Sequence, residues 1–370
     1  MGREILIQGR ALSALILSCC IIGYAAPTHA QIKPATEQLE IQPAEEPTIE
    51  QKLPADIIHT KKDKIVSVVV ENDLFGEQGT DENYTNGLRL TYYDVNADMP
   101  RTARALNDYI PFFDINETTG VFYSLGQNLY TPSNIEQSTQ DPDDRPWAAH
   151  LYGSMGLVTI TDNRMDEIEA SLGVIGPPAL GEQTQKFAHT HITPDSPTPQ
   201  GWDNQLDFEP ALLLGWQRRF PQYFNTSSEG LSLAAAPYYG ATVGNVYTFA
   251  DVGINFRLTP ESEKWQDAPV RVRPGLPGTG FFEIPVKKWS WYLFAGVEGR
   301  AVGRNIFLDG NTFSDSHSVD KKYFVADANA GLALTYDQYR ISYTLVHRTK
   351  EFKGQDDGTT FGAISFGYRF

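Results

Sequence analysis

The last eight residues, Ala363-Ile364-Ser365-Phe366-Gly367-Tyr368-Arg369-Phe370, decide the fold. Successive side chains of an extended strand point to opposite faces. Ile364, Phe366, Tyr368 and Phe370 therefore share one face, and Ala363, Ser365, Gly367 and Arg369 the other. Upstream the same period returns. Tyr339, Ile341, Tyr343 and Leu345 alternate with Arg340, Ser342, Thr344 and Val346. Phe324 to Tyr336 carries Asp327, Asn329 and Thr335 on its polar side, and Val252, Ile254, Phe256 and Leu258 interleave with Gly253, Asn255 and Arg257. Sustained alternation of this kind predicts strands with one apolar and one polar face, about twelve of them. They fall at 65–73, 84–94, 120–130, 146–161, 166–175, 207–220, 231–244, 246–258, 290–302, 324–336, 338–349 and 358–370.

Most of these exceed the ~5–6 residues of a soluble strand and reach the ~10 that cross a bilayer at a tilt. The predicted inward face holds Arg89, His150, Glu169, Glu298, Asp327, Arg340 and Arg369. Charges inside and aromatics outside are the pattern of a membrane barrel, the reverse of a soluble sandwich, which buries its apolar face. With an even count and a terminal aromatic, residues 64–370 read as an all-β, twelve-stranded antiparallel transmembrane β-barrel in the outer membrane of a Gram-negative bacterium. Two connections, 95–119 and 259–289, then fall on the inner side, where turns are normally short. Either they carry local structure or a strand is miscounted.

Composition agrees. The chain has 370 residues, 41% hydrophobic and 12% aromatic, with 18 Tyr and 20 Phe, too rich in large apolar side chains for a disordered protein. Its 30 Lys+Arg against 46 Asp+Glu, a net charge of −16, exclude an electrostatic nucleic-acid binder. Beyond the N-terminus no stretch approaches the ~18 apolar residues of a membrane helix. Cys19 and Cys20 are the two cysteines and lie side by side in the N-terminal apolar run, so no disulfide framework or cysteine metal site is expected. Residues 1–30 read as a secretory signal, with Arg3 and Arg10, an apolar middle from Ala11 to Ala26, and Thr28-His29-Ala30 as the exit. A lipid-modified cysteine after Ile16-Leu17-Ser18 is the rival reading, which the bulky Ile16-Leu17 pair fits poorly. Residues 31–63 set Pro34, Pro43, Pro47 and Pro54 among Glu and Gln, and read as a flexible periplasmic leader.

Up-and-down topology brings three distant segments to the outer rim: Asn72-Asp73, Asn83-Tyr84-Thr85-Asn86-Gly87, and the polar connection 176–206 with His189 and His191. Outward alternation of Tyr84, Asn86, Leu88, Leu90 and Tyr92 leaves Thr85 facing inward. A neutral imidazole takes a proton from water near physiological pH. A carboxylate such as Asp73 with carbonyl oxygens suits Ca²⁺, and such a cation polarises an ester carbonyl. No Gly-x-Ser-x-Gly elbow is present, so a serine triad lacks support. A loop histidine is also an ordinary solvated side chain, and Asn-Asp at a strand end an ordinary turn. From the residues alone a catalytic rim and an inert barrel, whether a narrow porin or a structural or lipid-binding protein, both stand.

On these same residues the chain resembles the lipid A 3′-O-deacylases of the LpxR type. The matching stretches are Glu71-Asn72-Asp73, Asp81 to Gly87, Leu129 to Ser133, Gly173 to Pro177, Gln185 to His189, Gly201 to Gln205 and Phe294 to Glu298, in order across 65–370. The resemblance implies a Ca²⁺-dependent hydrolase of the 3′ acyloxyacyl ester of lipid A, acting as a monomer between the barrel wall and the outer loops. It implies catalytic roles for Asn72, Asp73, Thr85 and His189, with His189 as general base and Asp73 as the metal carboxylate, in a manner resembling phospholipase A2. Lipid A or lipopolysaccharide would be the substrate and outer-membrane lipid the surroundings. Two features depart from the family. Residues 194–199 carry a short insertion that unsettles a match to Asp195, and Glu136 and Gln137 stand where some members have a basic pair.

Overall fold

The computed structural model of the chain describes residues 63–76, 83–99, 113–161, 164–192, 197–221, 223–261, 269, 271–272 and 278–370. The expected signal at 1–30, the leader at 31–62 and Asp195 lie outside the described residues. The strands are β1 Lys64–Asn72, β2 Asn83–Asp94, β3 Gly120–Thr131, β4 Ala148–Thr161, β5 Arg164–Ile175, β6 Glu209–Arg219 and β7 Phe224–Ser228. They continue with β8 Leu231–Gly244, β9 Tyr247–Pro260, β10 Trp289–Asn305, β11 Phe324–Tyr336, β12 Tyr339–Arg348 and β13 Thr359–Arg369.

Consecutive strands pair antiparallel except β6 and β7, which both pair with β8; β1 also pairs with β13, and the β6–β8 pairing closes the sheet. The barrel has twelve staves because β6 and β7 share one: Arg219 stands opposite Tyr238 of β8 and Phe224 opposite Ala235. The break between them contains Pro221, which has no N–H for a ladder. Alternation alone ends this stave at 220; the structure carries it on to Ser228. Closure matters because hydrocarbon offers no partner to an unpaired backbone group. No helix among the described residues is long and apolar enough to cross a membrane; the crossing is made by strands.

Both termini of the barrel lie at one end, where Lys64 N donates to Phe370 O at 3.2 Å. The two-residue turns Glu229-Gly230 and Asp337-Gln338 lie at that end, and the loops 132–147, 176–208 and 306–323 at the other. Short turns mark the periplasmic side and long loops the outside. Along the wall Leu125, Leu212, Val297, Ile341 and Phe366 face out and are exposed. Arg89, His150, Glu169, Glu298, Asp327, Arg340 and Arg369 face in and are buried, as alternation predicts. Burying an ion costs several kcal/mol unless it is paired; Arg89, Glu169, Glu298, Asp327 and Arg369 are in ion pairs, and Arg340 donates to backbone carbonyls. Arg89 meets Glu169 at 3.0 Å, and Asp327 accepts from Arg300 at 2.7 Å and from Arg348 at 2.9 Å.

The two long inner connections carry local structure, and the count of twelve staves holds. The connection from β9 to β10 turns into the lumen. Its Phe281 and Phe282 pack with Ile65, Tyr93, Phe122 and Val158 near the periplasmic end. The carbonyls of Gly280 and Phe281 accept from Arg340 at 3.1 and 3.0 Å, and that of Phe282 accepts from Arg369 at 2.7 Å. At the described ends of the connection from β2 to β3, Phe113 and Ile115 pack on the outward residues Val121, Met155, Leu157 and Ile168. At the outer end a one-turn helix, Ile306–Asp309, inserts Phe307, stacked 3.9 Å from Tyr130 among Tyr84, Tyr247, Phe249 and Phe361. Aromatic packing near both ends with ion pairs between them leaves the lumen filled.

Two outcomes follow from this interior. Purified protein in a planar bilayer is expected to show no steady open-channel conductance. Replacing Asp327 by Ala leaves Arg300 and Arg348, among the described residues, with the longer pairs to Glu298 and Glu351, at 3.4 and 3.6 Å. Urea unfolding in lipid vesicles should then show a loss of about 3 kcal/mol, the low end for breaking a buried pair.

Candidate functional site

At the top of β1 the chain leaves the sheet through Asn72. Its backbone is extended, and its side chain caps the single 3-10 turn Asp73–Phe75: Asn72 Oδ1 accepts from Leu74 N at 2.9 Å. Asparagine suits this position because a short amide reaches the first free N–H groups of a turn. The other half of the amide crosses to β2, where Asn72 Nδ2 donates to Thr85 O at 2.9 Å. Asp73 is buried, and its Oδ1 also accepts from Leu74 N at 2.9 Å. The turn lies on the outer surface of the wall. Phe75 covers Gly362 so closely that a Cβ there would sit 2.6 Å from that of Phe75, and Tyr343 donates its hydroxyl to Phe75 O at 2.6 Å.

Thr85 reaches the same outer surface by a different device. Alternation predicts Tyr84 outward and Thr85 inward; the structure reverses both. Tyr84 pairs with Tyr130 and Asn86 with Leu129, so Thr85 is an extra residue in a β-bulge. A bulge shifts side-chain parity by one and re-aims the residues beside it. Tyr84 turns into the lumen against Tyr130 and Phe361. The Thr85 hydroxyl lies 2.6 Å from that of Thr131, which shares the outward row of β3 with Leu129. Thr131 has no role in the sequence reading, and only the β2–β3 register brings it to Thr85.

His189 stands on α1, Gly181–His191, in the loop between β5 and β6. Gly181 starts the helix where a side chain would not fit: a Cβ would lie 2.5 Å from the Trp202 ring and 2.6 Å from the Ala149 methyl. Trp202 Nε1 then donates to Gln185 Oε1 at 2.7 Å, and Gln127 Nε2 to Ala179 O at 2.6 Å. Trp147, Trp202, Ile135 and Ala179 pack on the outward-facing Leu129, Ala149, Leu151 and Val174. The helix is thereby fastened to the outside of β3–β5. Residues four apart share a helix face, so His189 follows Gln185 one turn on. Its Nδ1 lies 2.7 Å from Pro197 O. A carbonyl only accepts, so Nδ1 carries the hydrogen and Nε2 is the basic nitrogen of the neutral ring. His191 is exposed, with Nδ1 3.1 Å from Phe187 O and its ring stacked on Phe187 at 4.6 Å.

These bonds join Asn72, Asp73, Thr85 and Thr131 into one group, and His189 stands on α1, which packs over β3–β5 at the same end of the barrel. Exposed Leu180, Phe187 and Ile192 on and beside α1 add an apolar surface. Glu136 and Gln137 are exposed in the loop 132–147. Among the described residues no three His, Cys, Asp or Glu side chains are grouped to hold a metal ion. The oxygens of this group are the Asp73 carboxylate, the Thr85 and Thr131 hydroxyls and backbone carbonyls, hard donors of the kind Ca²⁺ takes. They supply a single charge, so water and substrate oxygens would complete any coordination sphere.

Comparison with known proteins places this arrangement. The sequence profile of the family described as outer membrane protein LpxR matches residues 15–370. The chain belongs to that family. No curated protein matches at the sequence level. Among solved structures, LpxR from Salmonella typhimurium is similar at 19% identity and a TM-score of 0.66, over 83% of this chain and 100% of that one. The KdgM porin is 8% identical with a TM-score of 0.34, over 83% and 99% of the two chains. The β domain of the Bordetella autotransporter BrkA gives 8% and 0.37, over 84% and 99%.

The seat of α1 is open to test. Gly181→Val should lift the helix from Trp202 and Ala149. Proteolytic cleavage within 176–208 is expected to accelerate roughly tenfold, the factor that about 1.4 kcal/mol of local stability gives, with the strands left uncut.

Proposed function

We propose that this member of the LpxR family is a lipid A 3′-O-deacylase, hydrolysing the ester that links the 3′ acyloxyacyl chain to lipid A. One observation supports this above the others. Asn72, Asp73, Thr85 and Thr131, the last three buried, and the helix bearing His189 sit at the outer rim on the outer side of the wall, at the height of the outer leaflet where the substrate of such an enzyme lies.

His189 serves as general base. With Nδ1–H donated to Pro197 O, Nε2 takes a proton from water as the water oxygen attacks the ester carbonyl. The tetrahedral intermediate then collapses, the carbonyl–oxygen bond to the sugar breaks, and the imidazolium returns its proton to the departing 3′ oxygen. The products are a free acyloxyacyl acid and a 3′-hydroxyl on lipid A. Asn72 holds the two strand ends together through Thr85 O and keeps the Asp73 turn in place. Thr85 and Thr131 supply hydroxyls at the same surface. Asp73 would hold Ca²⁺, which when bound stabilises negative charge developing on the ester oxygen.

His189→Ala is expected to lower release of acyloxyacyl acid from purified lipid A by about 10²–10⁴-fold, the range of a lost general base, as followed by mass spectrometry. Wild-type rates in that variant would remove His189 from the mechanism. A Ca²⁺ chelator is expected to abolish release and added Ca²⁺ to restore it; indifference to chelation would remove the metal.

A further inference from the structure

The connection between β9 and β10 does more than fill the barrel. It leaves the wall at the periplasmic end, where Phe281 and Phe282 pack with Ile65 of β1. Its Arg271 and Val272 instead meet Glu71, six residues higher on the same strand. At about 3.3 Å per residue the two contacts lie roughly 20 Å apart along the inner face of β1. At the top the contacts are specific. Arg271 Nε donates to Glu71 Oε1 at 2.9 Å, and Val272 N donates to the same oxygen at 3.0 Å. Val272 O accepts from Tyr84 Oη at 2.8 Å and from Asn128 Nδ2 at 3.2 Å. The Arg271 guanidinium also lies 5.1 Å over the Phe361 ring and 3.9 Å from Asp327.

Glu71 directly precedes Asn72 and Asp73, and Tyr84 directly precedes Thr85. A dipeptide from the periplasmic side therefore grips, from inside the barrel, the two residues that adjoin the proposed catalytic group outside it. The strands carry the link through the wall, since neighbouring side chains of a strand point to opposite faces. Tyr84 faces inward only because of the bulge, and its bond to Val272 O holds the bulge in that form. We infer that Arg271 and Val272 are positioning residues, which set Asn72, Asp73 and Thr85 in register for ester hydrolysis. This rests on the deacylase reading above. Displacements near 1 Å at a reacting group cost about 10²-fold in rate, so a grip of this kind acts on turnover more than on substrate binding.

The test uses full-length protein in outer-membrane vesicles, with lipid A as substrate and folding checked by heat-modifiable mobility. Tyr84→Phe removes the hydroxyl bond to Val272 O and keeps the ring between Tyr130 and Phe361. Arg271→Met removes the ion pair at similar length. Both are expected to lower kcat by about 10–100-fold with KM within about twofold, and Arg271→Lys to recover part of the loss. Arg340→Gln cuts the same connection where it passes Gly280 and Phe281, away from the rim, and should leave kcat within about twofold. Wild-type kcat in folded Tyr84→Phe and Arg271→Met, or an equal loss in Arg340→Gln, would overturn the proposal. If Arg271→Met does not fold, Tyr84→Phe decides by itself. Full activity in His189→Ala would instead defeat the catalytic reading, so the two failures are separable.

Discussion

A strand in hydrocarbon must have every backbone N–H and C=O paired with another strand, and the rest of this structure depends on meeting that demand. The pairings of β1 with β13 and of β6 with β8 close the sheet, with β7 pairing on β8 alone. Once the sheet is closed, each side chain has two choices, lipid or lumen. Where a proline prevents pairing, at Pro221, the stave resumes at once in β7, and the cylinder survives the interruption.

That division inverts the usual core. Apolar side chains that would be buried in a soluble protein face the membrane, and the buried interior takes the charges. Arginines and carboxylates are tolerated there because they are paired: Arg89 with Glu169, and Asp327 with Arg300 and Arg348. The remaining space is taken by a connection that enters from the periplasmic end, its carbonyls accepting from Arg340 and Arg369. Conventional apolar packing gathers near the two ends of the lumen, beneath α1 and outside the wall under Phe113, with smaller clusters at Val69, Val272 and Ala363 and at Tyr292, Phe294 and Ala333.

The candidate site occupies the few positions where strict alternation fails. Asn72 ends β1 with a side-chain cap that throws Asp73 into a turn on the outer surface. The bulge at Thr85 exchanges the directions of Tyr84 and Thr85. In each case a local departure from strand geometry puts a polar group on the lipid side of the wall at its outer rim. Such a group is poorly placed for a diffusing solute and well placed for a lipid whose ester lies at the same height. The tautomer of His189 is set in the same economical way, by one backbone carbonyl that can only accept.

The sequence by itself determined the closed all-β cylinder, the positions of its staves and the inward row from Arg89 to Arg369, because a period of two follows directly from strand geometry and needs no knowledge of distant contacts. It also brought Asn72, Asp73, Thr85 and His189 to one rim, through up-and-down topology and family likeness. Only the tertiary structure decided that Thr85 turns toward Thr131, since a bulge is a property of the register between two strands and leaves no mark in either alone. The fate of the connection from β9 to β10 was likewise hidden. Whether a long polar segment hangs in the periplasm or climbs the lumen to Glu71 depends on the charges and carbonyls lining a cavity that exists only after the barrel has closed.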